Sequence, residues 1–227
     1  MSNLKLLQNS NFYVSNDSKD IHYQCIKREI FDLLVYDLPF CPLPSRGVVF
    51  DLGANIGMFA HYAITRKNNY VYCFEPAANC VPALHKNLES YNKRYRIIEK
   101  GVWSESGTLE FVEYGDFSGC NHLEPANTIR DPDVSIYKVD VISIDEFVAN
   151  ERLGQVDFMK FDVEGAEMEV LVGAKDTIQK FKPRMVVSAY HKANDEENLV
   201  NYIKSIQDYK VTIVNHTDIE IKLAYCY

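Results

Sequence analysis

Val49-Phe-Asp-Leu-Gly-Ala-Asn-Ile-Gly57 decides how the rest of the chain reads, because an apolar run ends there in a carboxylate and then in a glycine-marked turn. Continuous apolar strands belong to parallel sheets covered by helices on both faces, and such sheets bind ligands at the carboxyl ends of their strands. Val156-Asp-Phe-Met-Lys-Phe-Asp-Val-Glu-Gly-Ala-Glu167 repeats the pattern farther along. Asp51 and Asp162 are therefore expected at one crevice, and together the two stretches imply a nucleotide-type cofactor.

Outward from the first stretch the chain alternates. Strands are predicted at 48–52, 70–74 and 96–102, with helices at 56–65 and 80–91 between them. Strand-like segments at 108–114 and 136–141 flank a loop rich in Gly, Asn, Pro and Asp, and residues 115–134 are the candidate acceptor lid. Ser143-Ile-Asp-Glu146 has the spacing of a capping box. The alternation resumes with strand 156–161, helix 166–180, strand 184–189 and helix 194–207. Two strands then follow at 210–215 and 219–225, and the short turn between them makes an antiparallel hairpin. Upstream, one helix capped by Asp20 is expected, with apolar positions at Cys25, Ile26, Ile30, Leu33 and Leu34 and a stop at Pro39. Residues 1–45 thus read as an N-terminal helical cap on a domain at 46–227.

The 227 residues suffice for one globular unit with its own core. Six cysteines without a C-x-x-C pair read as thiols of a reducing compartment, and the segment at Met1 is too polar for a signal peptide, so a cytoplasmic protein with no membrane span is expected. A formal charge of −8 argues against a nucleic-acid backbone as partner.

In Asp51-Leu-Gly-Ala-Asn-Ile-Gly57, Gly53 and Gly57 allow a sharp turn and a close ligand approach. The spacing is not the dinucleotide G-x-G-x-x-G, and an acid before the first glycine suits a ligand that carries an ammonium. Glu75 ends the next strand, where a carboxylate accepts hydrogen bonds from a ribose diol in either cofactor class. The terminal hairpin separates the classes, since it is the habit of S-adenosylmethionine-dependent methyltransferases.

With Phe50-Asp-Leu-Gly-Ala-Asn-Ile-Gly57, Phe74-Glu-Pro76, Ser143-Ile-Asp145 and Met159-Lys-Phe-Asp-Val-Glu-Gly-Ala-Glu167 in this order, the chain resembles the FkbM family of methyltransferases over residues 45 to 215. The resemblance implies a class I, Rossmann-like α/β fold with a seven-stranded sheet and an antiparallel C-terminal hairpin. It also implies S-adenosylmethionine as methyl donor, S-adenosylhomocysteine as product, and a hydroxyl of a sugar, glycan or other small molecule as acceptor. Carried over by position, it sets the methionine part of the cofactor against Asp51, Gly53 and the Ala54-Asn55 backbone, the ribose on Glu75, and the adenine near Gly101-Val102-Trp103.

An alcohol acceptor has a proton to lose. Asp162 and Glu164 project the same way from the end of an extended strand, and His191 in Val187-Ser-Ala-Tyr-His191 reaches the same rim, so either one of these three takes that proton or Asp162 binds the cofactor's amino group, Glu164 and Glu167 favour the helix start and His191 bonds a loop. The same oxygen and imidazole ligands also suit a divalent metal, a variant kept behind the metal-free reading. His122 in the loop reads as solvated, and His22, His61, His85 and His216 are assigned no chemistry. The competing readings are a dinucleotide-dependent oxidoreductase and a cofactor-binding module without catalysis.

Overall fold

A computed structural model describes residues 4–16, 18–114, 121–124 and 134–227. In chain order the elements are β1 (Leu4–Leu6), β2 (Tyr13–Ser15), α1 (Asp20–Lys27), β3 (Val48–Leu52), α2 (Met58–Lys67), β4 (Tyr70–Phe74), α3 (Val81–Leu88), β5 (Tyr95–Ile98), β6 (Gly101–Val102) and β7 (Gly107–Tyr114). They continue with β8 (His122–Glu124), β9 (Val134–Ile142), α4 (Ile144–Asn150), β10 (Phe158–Phe161), α5 (Glu167–Val172), α6 (Lys175–Phe181), β11 (Arg184–Ser188), α7 (Asp195–Ile206), β12 (Val211–His216) and β13 (Ile221–Cys226).

The main sheet has seven strands in the order β12-β13-β11-β10-β3-β4-β5. β10, β3, β4, β5 and β11 run parallel, and β13 enters antiparallel between β11 and β12. Both faces of the sheet are buried, as the unbroken apolar strands require. Val49 faces Ala60, Ala63, Leu84 and Leu88 of α2 and α3. Its neighbour Phe50 faces the opposite way, toward Phe147, Val170, Ile178 and Leu199 of α4 to α7. This is the seven-stranded class I methyltransferase sheet expected from the sequence.

Four local expectations are corrected. The strand expected at 96–102 is two strands, because Gly101–Val102 turns away to pair with β9 in a second sheet of order β6-β9-β7-β8. A Cβ at Gly101 would stand 3.0 Å from side-chain carbons of both Leu123 and Val141, a close fit against the second sheet. The helix expected at 166–180 breaks at Gly173, which packs on the Trp103 and Ser104 backbone where no side chain fits. Asp145 caps the second half, its two carboxylate oxygens accepting from the Asp176 and Thr177 N–H groups at 3.0 and 2.7 Å. The capping box is only half made by its own residues. Ser143 Oγ accepts from Glu146 N–H at 3.2 Å, but Ser106 stands between the Glu146 carboxylate and the Ser143 N–H and bonds to both. Finally, Asp20 does not cap α1, which begins without a side-chain cap; its carboxylate pairs with Lys5 Nζ at 2.9 Å instead.

The segment before residue 45 contains a β1-β2 ribbon as well as α1, which is followed by one wide turn at Arg28–Asp32. Asn87 ties the ribbon to α3, accepting from Tyr13 N–H at 2.6 Å and donating to Tyr13 O at 2.9 Å. The stretch after α1 is held by the far end of the chain: Tyr225 Oη donates to Val35 O at 2.7 Å, and Phe40 packs edge-on against Tyr225. Most of the expected lid, residues 115–120 and 125–133, lies outside the described residues. Among the described residues no helix is long and apolar enough to cross a membrane, and Cys25, Cys41, Cys73, Cys80 and Cys226 are free thiols.

Candidate active site

The carboxyl ends of β3, β4 and β10 open into a cavity of about 300 Å³. The turn after β3 forms one wall. Gly53, Asn55 and Gly57 all have positive φ, at 79°, 50° and 86°. At Gly53 this is obligatory on two counts, because a Cβ would also collide with the Asp162 carbonyl oxygen across the sheet. The Asn55 side chain accepts from Ile56 N–H at 2.8 Å, a local bond that favours its left-handed backbone.

Glu75 closes this side of the cavity, accepting from Asn55 N–H at 2.7 Å and from Ala77 N–H at 2.9 Å. Burial pushes its carboxyl up to about 7 against the pull of those two donors. Gly53, Ala54, Asn55, Glu75 and Val102 all line the cavity. Beside Val102, the second sheet adds Phe111, Asn121 and Leu123. Trp103 is not part of the lining; it packs between the second sheet and the core under α4 to α7.

Asp51 and Gly57 stand one layer behind the lining. Asp51 is fully buried, and its Oδ1 receives the Lys160 ammonium at 3.0 Å. Lys160, in register with Asp51 on the neighbouring strand, also donates to Gly53 O at 2.8 Å and lies 3.7 Å from Asp162 Oδ2. Burial alone would lower the lysine pKa, but Asp51 and Asp162 more than offset it and hold Lys160 above its ordinary value. Its ammonium also sits over the Tyr36 and Phe59 rings, at 5.6 and 5.8 Å. The lysine thus joins the two strand ends that carry Asp51 and Asp162.

The opposite wall carries the acids. Asp162 accepts from Ser188 Oγ at 2.9 Å and from Tyr36 Oη at 3.3 Å. Burial works to raise its carboxyl, but Lys160 and His191 overcome this and keep it below the ordinary carboxylate range. Glu164 lines the cavity from a left-handed position, φ 51°, followed by Gly165 at 94°. Burial, reinforced by the Asp162 charge, pushes Glu164 up to about 8. His191 is held behind it, with Nδ1 2.8 Å from Glu167 Oε1 and Nε2 3.3 Å from Glu164 Oε2. Burial opposes charge on this ring, but the bond to Glu167 and the surrounding carboxylates lift it to about 9. The structure therefore brings Asp162, Glu164 and His191 together, with ligand atoms within 4.8 Å of one another, while leaving His191 out of the cavity surface.

Sequence reasoning missed the roof. α1 and the turn after it place His22, Ile26, Glu29, Ile30 and Tyr36 over the cavity. His22, to which the sequence assigns no chemistry, stands in this roof, where burial lowers its pKa. Burial and the Asp162 charge push Glu29 up to about 7. The amphipathic pattern of α1 announced a buried face, but only the fold reveals that this face covers the site. Tyr190 and His122 also line the cavity, and neither is distinguished by sequence spacing.

The strand order is that of the class I methyltransferases. A methyltransferase FkbM domain matches residues 51–224, most of the chain, and the chain belongs to the FkbM methyltransferase family. Methyltransferase sdnD of Sordaria araneosa is 28% identical over 206 residues, which cover 75% of this chain and 76% of that protein. The 31-O-demethyl-FK506 methyltransferase FkbM of Streptomyces tacrolimicus is 27% identical over 194 residues, 74% of each chain. The crystal structure of methyltransferase FkbM from Methylobacillus flagellatus superposes with a TM-score of 0.61 at 26% identity, over 81% of this chain. This chain spans 44% of that longer protein. Family membership sets the oxidoreductase reading aside.

Proposed function

We propose that this chain is an S-adenosylmethionine-dependent O-methyltransferase that acts in the cytoplasm on a hydroxyl of a sugar, glycan or other small molecule. The observation that carries the reading is the cavity itself, with a glycine turn and Glu75 on one wall and Asp162 and Glu164 on the other. The relative from Streptomyces tacrolimicus, named for an O-demethyl substrate, supports a hydroxyl acceptor.

The residues fit the cofactor. Gly53 leaves its turn without a side chain, Glu75 offers a carboxylate to a ribose diol, and Val102, Phe111 and Leu123 give an apolar slot for a flat base. The ionised Asp162 suits an ammonium. When bound, the cofactor would supply an electrophilic methyl group on a sulfonium for the acceptor oxygen, the C–S electron pair remaining on sulfur. The protein holds the two partners face to face, which is worth about 7 to 11 kcal/mol when reacting atoms are well placed. Glu164, on the cavity surface and with its pKa brought near neutrality by burial, takes the acceptor proton on a carboxylate oxygen. His191 stands behind Glu164 as a positioning residue, itself oriented by Glu167. A base so placed adds on the order of 10² to 10⁴ in rate.

Calorimetry with S-adenosylmethionine and S-adenosylhomocysteine tests the cofactor: saturable heat is expected from the folded chain, and its absence overturns the reading. For the proton, Glu164→Gln and His191→Ala are each expected to lower turnover by about 100-fold with cofactor affinity retained. A loss below about threefold would remove the residue from the mechanism. Cofactor binding without turnover on a broad panel of hydroxylated acceptors would point instead to a non-catalytic module.

A further inference from the structure

The Asp162, Glu164 and His191 group has a property that proton transfer does not explain. His191 Nδ1 lies 2.8 Å from Glu167 Oε1, which holds the ring so that Nε2 is the nitrogen left toward the site. Nε2 is buried, has no hydrogen-bond partner, and belongs to a side chain only 10% exposed. Glu164 Oε2 lies 3.3 Å away without a hydrogen bond to it, and the ligand atoms of Asp162, Glu164 and His191 all fall within 4.8 Å of one another. A carboxylate behind an imidazole, fixing which nitrogen faces forward, is also how proteins orient histidine ligands of metal ions.

Charge points the same way. Asp162, Glu164 and Glu29 converge on this wall and Glu167 backs it, four carboxyls against the Lys160 ammonium and the His191 ring. Buried carboxylates in excess of cations are costly, and a divalent ion removes the excess.

We propose that Asp162, Glu164 and His191 form a binding site for a divalent cation of the magnesium or manganese type, resting on the function proposed above. The donor set of two carboxylates and one imidazole matches that hard class of ion. Asp162 and Glu164 both line the cavity, so the cation takes the acceptor hydroxyl oxygen as a further ligand. Coordination lowers the pKa of that hydroxyl. One Glu164 oxygen serves the cation, while the other remains to receive the proton.

The test uses Mn²⁺ alone, added to the cofactor-free chain and followed through the electron paramagnetic resonance of the free ion. Saturable binding of one ion is expected. Glu164→Gln and His191→Ala should each weaken it by more than about 10-fold, and Glu167→Gln by about 10- to 100-fold through loss of ring orientation. His85→Ala is the control, since it disrupts an exposed histidine–glutamate pair of the same residue types, 2.9 Å apart, outside the site. Absence of saturable Mn²⁺ binding to the folded wild-type chain overturns the proposal, as does undiminished binding by Glu164→Gln. S-adenosylhomocysteine affinity is measured in parallel: if it binds and Mn²⁺ does not, the cation site falls and the methyltransferase reading stands.

Discussion

Replacing Lys160 by Met tests whether one buried ammonium holds the two halves of the site together. The Lys160 and Asp51 side chains are 5% and 0% exposed and 3.0 Å apart, so the substitution strands a carboxylate in the core. Breaking one side of a buried pair costs about 3 to 5 kcal/mol, mostly the penalty of the abandoned charge. At about 2 to 4 °C per kcal/mol for a chain of this size, the melting temperature should fall by roughly 6 to 20 °C. Burial already raises the Asp51 carboxyl, and without its cation the group takes up a proton more readily still. A raised folded-state pKa makes stability fall as pH increases, so the deficit should widen from pH 5 to pH 8. Adding Asp51→Asn removes the stranded charge and should recover much of the loss; thermal melts of the wild type, both single variants and the double variant complete the cycle. A Lys160→Met variant within about 1 kcal/mol of wild type, or a double variant no better than that single one, would refute the reasoning.

Three carboxyls of the free site, Glu29, Glu75 and Glu164, have pKa values raised to about 7, 7 and 8, and His191 is raised to about 9. Each binds protons more tightly folded than unfolded, so the cofactor-free chain should lose stability as pH climbs from about 5 to 9, and Glu164→Gln should flatten the slope in melts across that range. Gly53→Ala should cost about 2 to 5 kcal/mol, combining the left-handed backbone with the collision at Asp162 O, and should weaken S-adenosylhomocysteine binding in calorimetry. Wild-type stability in that variant would show that the turn tolerates a side chain.

The central strands and their terminal acids were legible because continuous apolar runs and glycine turns are local signals. Asp51 and Lys160 were visible as residues, but their pairing depends on the register between β3 and β10, which no single stretch encodes. The helix break at Gly173 was hidden for the same reason: its cause is the Trp103 and Ser104 backbone seventy or so residues earlier in the chain. His22 and Glu29 entered the site only because α1 folds back over the strand ends. The Ser143 box misled in a smaller way, since a third residue, Ser106, completed it.

The bond from Tyr225 to Val35 gives the fold an order of assembly. Its partners are 190 residues apart, so this anchor for the stretch after α1 is made only once the antiparallel β13 lies between its neighbours. Contacts of such long range form slowly. A ribosome that has released the chain through Tyr190 has therefore made the described residues that line the binding chamber and still lacks the latch at Tyr225.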